Sequence, residues 1–252
     1  IAIEAATMTS PIATSSFSDG IGGFDELDSP RTITTTTING RNYALVHAYS
    51  DNGVQIVDIT DLSTPTPVAV LQDGVTYTEL EGARHSAITH SNGRTYALIA
   101  GYSDDGIQIA DITDPANPTS AGRIRDGDNG GEGNYKLDGA YFIATTSAGG
   151  KTFALVTSYN DDSLQIINIT DPTNPSLAKS ITDGAGGYEE LNGARGLTTV
   201  DIAGSKYALI ASSSDDGVQI INITDPENPS AVSSITDGVG GFNELEAARM
   251  VS

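Results

Sequence analysis

"DGVGGFNELEAAR" (237–249) repeats "DGIGGFDELDSPR" (19–31) nearly residue for residue. The segment returns as "DGVTYTELEGAR" (73–84), "DGDNGGEGNYKLDGAY" (126–141) and "DGAGGYEELNGAR" (183–195). Its Asp-Gly pairs lie 54, 53, 57 and 54 residues apart. Self-similarity at a fixed period marks a repeat architecture, so the unit has to be read before the chain.

The last full unit reads strand by strand. "GLTTVDI" (196–202) is β-rich and leads through "AGSK" into "YALIAS" (207–212). The acidic turn "SDDG" follows, then "VQIINIT" (218–224), the Pro-rich turn "DPENP" and "SAVSSIT" (230–236). Other units place Asn39-Gly40 and Asn92-Gly93 in the first turn, a strong hairpin signal. Four short antiparallel strands per unit, with turn residues every 8–12 positions, match a propeller blade. No run shows the 3.6-residue periodicity of a helical array. The Thr-rich run at 32–37 reads as strand.

Composition narrows the function classes. The 252 residues hold no cysteine, which removes disulfides and thiol chemistry. No stretch approaches the roughly 18–20 apolar residues of a membrane span. A formal net charge of −21 argues against nucleic acid, whose phosphates need Lys and Arg. The expected setting is extracellular or at a cell surface.

The third strand carries a family resemblance. "VQIVDIT" (54–60), "IQIADIT" (107–113), "LQIINIT" (164–170) and "VQIINIT" (218–224), each followed by Asp and mostly by "PxNP", resemble the LVIVD repeat. The resemblance runs over essentially the whole chain. It implies an all-β propeller at a surface or secreted, and it names no activity.

Counting strands gives four complete blades of about 54 residues plus a split or incomplete fifth. As a single domain, the chain divides into a partial unit (1–31), repeats at 32–84, 85–141, 142–195 and 196–249, and the start of another unit (250–252). Residues 1–18 align with 219–236, so the chain starts inside a third strand. The competing reading is a slice of a longer array.

Charge recurs in fixed slots. Arg31, Arg84, Arg195 and Arg249 each follow a Glu by five residues: Glu26, Glu79, Glu190 and Glu244. In the irregular unit both change, to Lys136 and Tyr141. We therefore expect structural Glu–Arg ion pairs, with a ring of ligand-binding arginines as the alternative. Arg41, Arg94, Lys151 and Lys206 fill a second slot, expected to face Asp61, Asp114, Asp171 and Asp225 across neighbouring turns. Asp51, Asp104, Asp105, Asp161, Asp162, Asp215 and Asp216 should make one face acidic.

Candidate chemistry is sparse. His47, His85 and His90 occupy no repeated slot. Asp126, Asp128, Glu132 and Asp138, with Asn129 or Asn134, offer oxygen ligands suited to Ca²⁺ on a Gly-rich loop, or else form a solvated insertion. Asn168 and Asn222 head N-glycosylation sequons where other units hold Asp58 and Asp111. The expectation is a non-enzymatic binding or assembly module, structural or adhesive, with a protein or glycan partner or copies of itself. The rivals are a Ca²⁺-dependent ligand binder and a propeller hydrolase or lactonase using the central channel.

Overall fold

Alternating β-branched and apolar residues, cut by Gly, Asn and Pro turns, produce sixteen strands and no helix among the described residues. The computed structural model describes residues 15–74, 76–131 and 133–251. The first sheet holds β1 (Pro30–Ile38), β2 (Arg41–Ala48), β3 (Gly53–Asp58) and β4 (Thr66–Gln72). The second holds β5 (Ala83–Ser91), β6 (Arg94–Gly101), β7 (Gly106–Asp111) and β8 (Thr119–Arg125). The third holds β9 (Ala140–Ala148), β10 (Lys151–Ser158), β11 (Ser163–Asn168) and β12 (Ser176–Thr182). The fourth holds β13 (Ala194–Ile202), β14 (Ser205–Ser212), β15 (Gly217–Asn222) and β16 (Ser230–Thr236). Each sheet is an antiparallel meander in chain order.

These sheets are the blades of an all-β propeller. Their first strands approach one another in the order β1, β5, β9, β13, so they line the central axis. The second and third strands are apolar on both faces because a neighbouring blade covers each: β3 is buried along its length, as is β7. Leu155, Leu164 and Ile166 of the third blade pack with Ala208, Ile210 and Ile221 of the fourth. The opposite face of the fourth blade, with Tyr207, Leu209, Val218 and Ile220, is only half-buried. No fifth sheet is present among the described residues; of residues 1–18, expected to run from a third strand into a fourth, 1–14 lie outside them.

The Asp-Gly loops lace each junction. Asp73, Asp126, Asp183 and Asp237 accept the backbone N–H of Leu80, Leu137, Leu191 and Leu245, closing the loop. Its tip then runs along the outer strand of the following blade. Tyr77, Tyr135 and Tyr188 donate their hydroxyls to the carbonyls of Pro118, Pro175 and Pro229 in that blade's Pro-rich turn. A buried Gln in each third strand secures the loop's other end: Gln55, Gln108, Gln165 and Gln219 accept from Asp25, Thr78, Lys136 and Glu189 N–H. The loops thereby shield edges that would otherwise recruit other strands.

The acidic turns hold these loops from both sides. Asp104 accepts from Glu81 N–H in the preceding loop at 2.7 Å, and Asp105 from Gly139 N–H in the following one at 2.9 Å. Asp161 with Asp138 and Asp162 with Gly193 repeat the arrangement, as do Asp215 with Asn192 and Asp216 with Ala247. In the first blade Asp51 takes Asp28 N–H and Asn52 takes Gly82 N–H. The acidic residues are thus gathered on one side, and each accepts a backbone hydrogen bond.

Candidate functional site at the channel mouth

The expected Glu–Arg ion pairs are not formed. Glu79 pairs with Arg123 and Arg125, and Glu190 accepts a hydrogen bond from Thr236 Oγ1. Among the described residues no ion pair joins Glu26 to Arg31, Glu79 to Arg84, Glu190 to Arg195 or Glu244 to Arg249; the last two are exposed. The reason is geometric. Glu26, Glu79 and Glu190 turn inward against Gly53, Gly106 and Gly217, where an added Cβ would collide with the carboxylate. In the irregular unit Lys136 replaces the Glu and Ser163 replaces the Gly, with Ser163 Oγ donating to Lys136 O. The coupled change therefore links the Glu slot to the third strand.

Freed from the glutamates, the arginines point to the axis. Arg31, Arg84, Tyr141 and Arg195 stand at the starts of β1, β5, β9 and β13. Tyr49, Tyr102 and Tyr159 directly follow β2, β6 and β10. Arg84 lies 4.8 Å from the Tyr49 ring, 4.2 Å from Tyr102 and 4.5 Å from Tyr141. Arg31 sits 4.8 Å from Tyr49, and Arg195 4.5 Å from Tyr159. Arg195 Nε also donates to Ser213 Oγ, the residue that replaces a tyrosine in the fourth blade. These are cation–π stacks. The tyrosines recur 53 and 57 residues apart, at the period of the Asp-Gly pairs, and the sequence reading passed over them.

Below the rim is a cavity of about 150 Å³ lined by Arg31, Thr32, Arg84, His85, Tyr141, Phe142 and Met250. Thr32, His85, Phe142 and Met250 each follow one slot of the arginine series, so the repeat itself builds the floor. Gly196 is the counterpart in the fourth blade. A side chain there would strike Arg249 O and Met250 Cα, both 2.6 Å from the Cβ position.

His85 stacks on Phe142 at 3.6 Å and lies 6.2 Å from His47. Its Nδ1 accepts from Ile143 N–H at 3.4 Å, which leaves the proton on Nε2. Burial pushes His85 down to about 3 and the fully buried His47 down to about 4, so both are neutral imidazoles. His47 Nδ1 donates to Thr32 O at 3.0 Å, and its Nε2 has no hydrogen-bond partner. Arg84 Nε is likewise buried without an acceptor. Histidines in different blades have no sequence spacing that could announce this pairing. His90 lies apart, bonded to Thr95.

The other predicted residues fall elsewhere. Asp126 accepts from Leu137 N–H at 2.8 Å, Asp128 from Arg125 N–H at 3.2 Å and Asp138 from Asn160 Nδ2 at 2.7 Å. Glu132 lies outside the described residues, and among those described no three His, Asp or Glu side chains converge to hold a metal. Arg41 and Arg94 pair with Asp58 and Asp111, whereas Asp61, Asp114, Asp171 and Asp225 cap their own turns. Asn168 and Asn222 accept from Thr170 and Thr224 N–H, as Asp58 and Asp111 do from Thr60 and Thr113.

The family model for the LVIVD repeat matches residues 39–71, 95–126 and 153–183. Each match spans the second to fourth strands of one blade. The chain carries the LVIVD repeat. No curated protein matches it in sequence.

Solved structures similar to this LVIVD-repeat chain include an exo-β-1,3-galactanase from Phanerochaete chrysosporium (TM-score 0.55, 12% identity, 90% of this chain and 53% of that one). A periplasmic gluconolactonase from Pseudomonas aeruginosa gives 0.59, 12%, 82% and 54%. An α-L-arabinofuranosidase from Lactobacillus brevis gives 0.51, 12%, 82% and 72%. The chain thus spans about half the length of the first two. At this identity the likeness carries the fold alone. It also corrects the expectation of a non-enzymatic binding or assembly module, since these three similar propellers are enzymes.

Proposed function

We propose that this LVIVD-repeat chain is a propeller hydrolase that opens a carbonyl-centred bond, a lactone or carboxylic ester, at the channel mouth. The observation that carries this reading is Arg84, a guanidinium held on three tyrosine rings with a buried Nε that has no acceptor. A donor fixed beforehand where negative charge develops is the main means of stabilising an acyl-transfer transition state. The neutral His85, with its proton on Nε2, adds a second donor on the same cavity wall.

Water adds to the acyl carbon, the C–O bond breaks, and the proton passes to the departing oxygen. A lactone and water give a hydroxy acid with no co-reactant. Glycoside cleavage fits less well, because it uses two carboxylates flanking the scissile bond and the described residues that line the cavity include none. The same reading puts the protein outside the cytoplasm, extracellular or at a cell surface, with a saccharide-derived partner. The periplasmic gluconolactonase among the similar structures supports that setting.

The test is a panel of sugar lactones and aryl esters beside nitrophenyl glycosides. Lactone or ester hydrolysis should appear, and Arg84→Gln should lower kcat roughly 10²–10³-fold in a variant whose circular dichroism shows the fold retained. A chain inert toward every lactone and ester, or an Arg84→Gln variant of unchanged kcat, rejects the proposal.

A further inference from the structure

Eight arginines serve a chain with 33 carboxylates, and apart from the exposed Arg249 they fall into two groups. Arg41, Arg94, Arg123 and Arg125 form ion pairs. Among the described residues Arg31, Arg84 and Arg195, around the channel mouth, form none, although carboxylates outnumber basic residues almost three to one. Tyrosine rings and one serine occupy their surroundings instead.

A random acidic surface would supply a carboxylate to each. The Glu five residues earlier is turned away against a glycine, so the fold itself keeps the nearest anion out. What remains is a ring of three guanidinium groups above a floor of neutral histidine, threonine and phenylalanine. Guanidinium forks match planar carboxylates in bidentate geometry. The tyrosine rings that frame these guanidinium groups make the rim aromatic and polar together. The cavity has room for about five waters, or one small ring.

We infer that the channel mouth recognises a carboxylate-bearing sugar, with a hexuronic-acid-type ligand held by Arg31 and Arg84 at the tyrosine rim. This inference rests on the proposed hydrolase site but concerns binding, so it is read without turnover.

The experiment is calorimetry and thermal shift on the full chain with a hexuronate, the corresponding neutral hexose, and acetate. The hexuronate should raise the melting temperature in a concentration-dependent way, because a ligand bound only to the native state stabilises it. The neutral hexose and acetate should bind at least ten-fold more weakly. Raised salt should weaken the hexuronate by screening. Arg84→Lys should lose most of the affinity, since a point charge lacks the fork. Arg31→Gln, at an exposed position, keeps the test open should the Arg84 variant unfold.

Equal responses to hexuronate and hexose, or unchanged hexuronate affinity in Arg31→Gln, overturn the inference. Hexuronate binding without any lactone or ester hydrolysis leaves it standing and removes the hydrolase. Hydrolysis of neutral lactones with no preference for the acid does the reverse.

Discussion

At the scale of single residues, buried carboxylates dominate. Glu26 is 5% exposed, and burial, reinforced by Asp51, Asp19 and Asp25, pushes its carboxyl from 4.5 up to about 7. Burial likewise raises Glu79 and Glu190. A folded-state value above the unfolded one contributes stability that is present below about pH 4.5 and lost as pH rises through about 7. Glu26→Gln keeps the shape and removes the charge. It should melt roughly 2–4 °C above the parent at pH 8, the size of a ~1 kcal/mol effect in a chain of this length. The difference should vanish below about pH 4.5 in a series of melting curves. A constant difference across pH would mean that ionisation of Glu26 is not its origin. None of this was legible in the sequence, where the Glu–Arg spacing pointed to an ion pair. Replacement of Gly by Ser163 in the irregular unit was the signal that would have redirected it.

At the scale of elements, the hairpins between first and second strands show how closely turn chemistry follows sequence. Asn39-Gly40 has φ of 50° and 77°, and Asn92-Gly93 has 50° and 74°, the positive pair a type I′ turn demands. The fourth blade makes the same turn with Ala203-Gly204, at 51° and 83°. A left-handed alanine costs roughly 1–2 kcal/mol, which asparagine largely avoids. Ala203→Asn should therefore raise the melting temperature by about 2–4 °C, with activity unchanged. A neutral or lower value would show that the turn relaxes differently in solution. Strand limits were equally readable: the expected 207–212 and 230–236 correspond to β14 (Ser205–Ser212) and β16 (Ser230–Thr236). The course of the Asp-Gly loops was not, because Tyr188 meets Pro229 across 41 residues of chain.

For the whole molecule, stability resides in the junctions between blades. Asp105 accepts Gly139 N–H across such a junction while burial raises its carboxyl, and Asn52 makes the equivalent bond in the first blade without charge. Asp105→Asn should therefore hold or raise the melting temperature at pH 8. Asp105→Ala should lower it, since a lost hydrogen bond of this kind costs about 1 kcal/mol. Equal losses in both variants would show that the carboxylate has another role. With a net charge of −21, moderate salt should stabilise parent and variants alike by screening.

The sequence by itself determined the period, the four-stranded unit, the turn types and the repeat family, because these depend on local φ/ψ preference and on alternation that recurs at fixed spacing. Tertiary structure alone decided which slots meet. Arg84 is framed by Tyr49, Tyr102 and Tyr141, which belong to three different blades, and His47 meets His85 across two blades. Such encounters follow from circular packing about an axis, which brings together slots that lie far apart along the chain. The glutamates behave in the same way: closeness in sequence suggested an arginine partner, and burial against the glycine that opens the third strand prevailed.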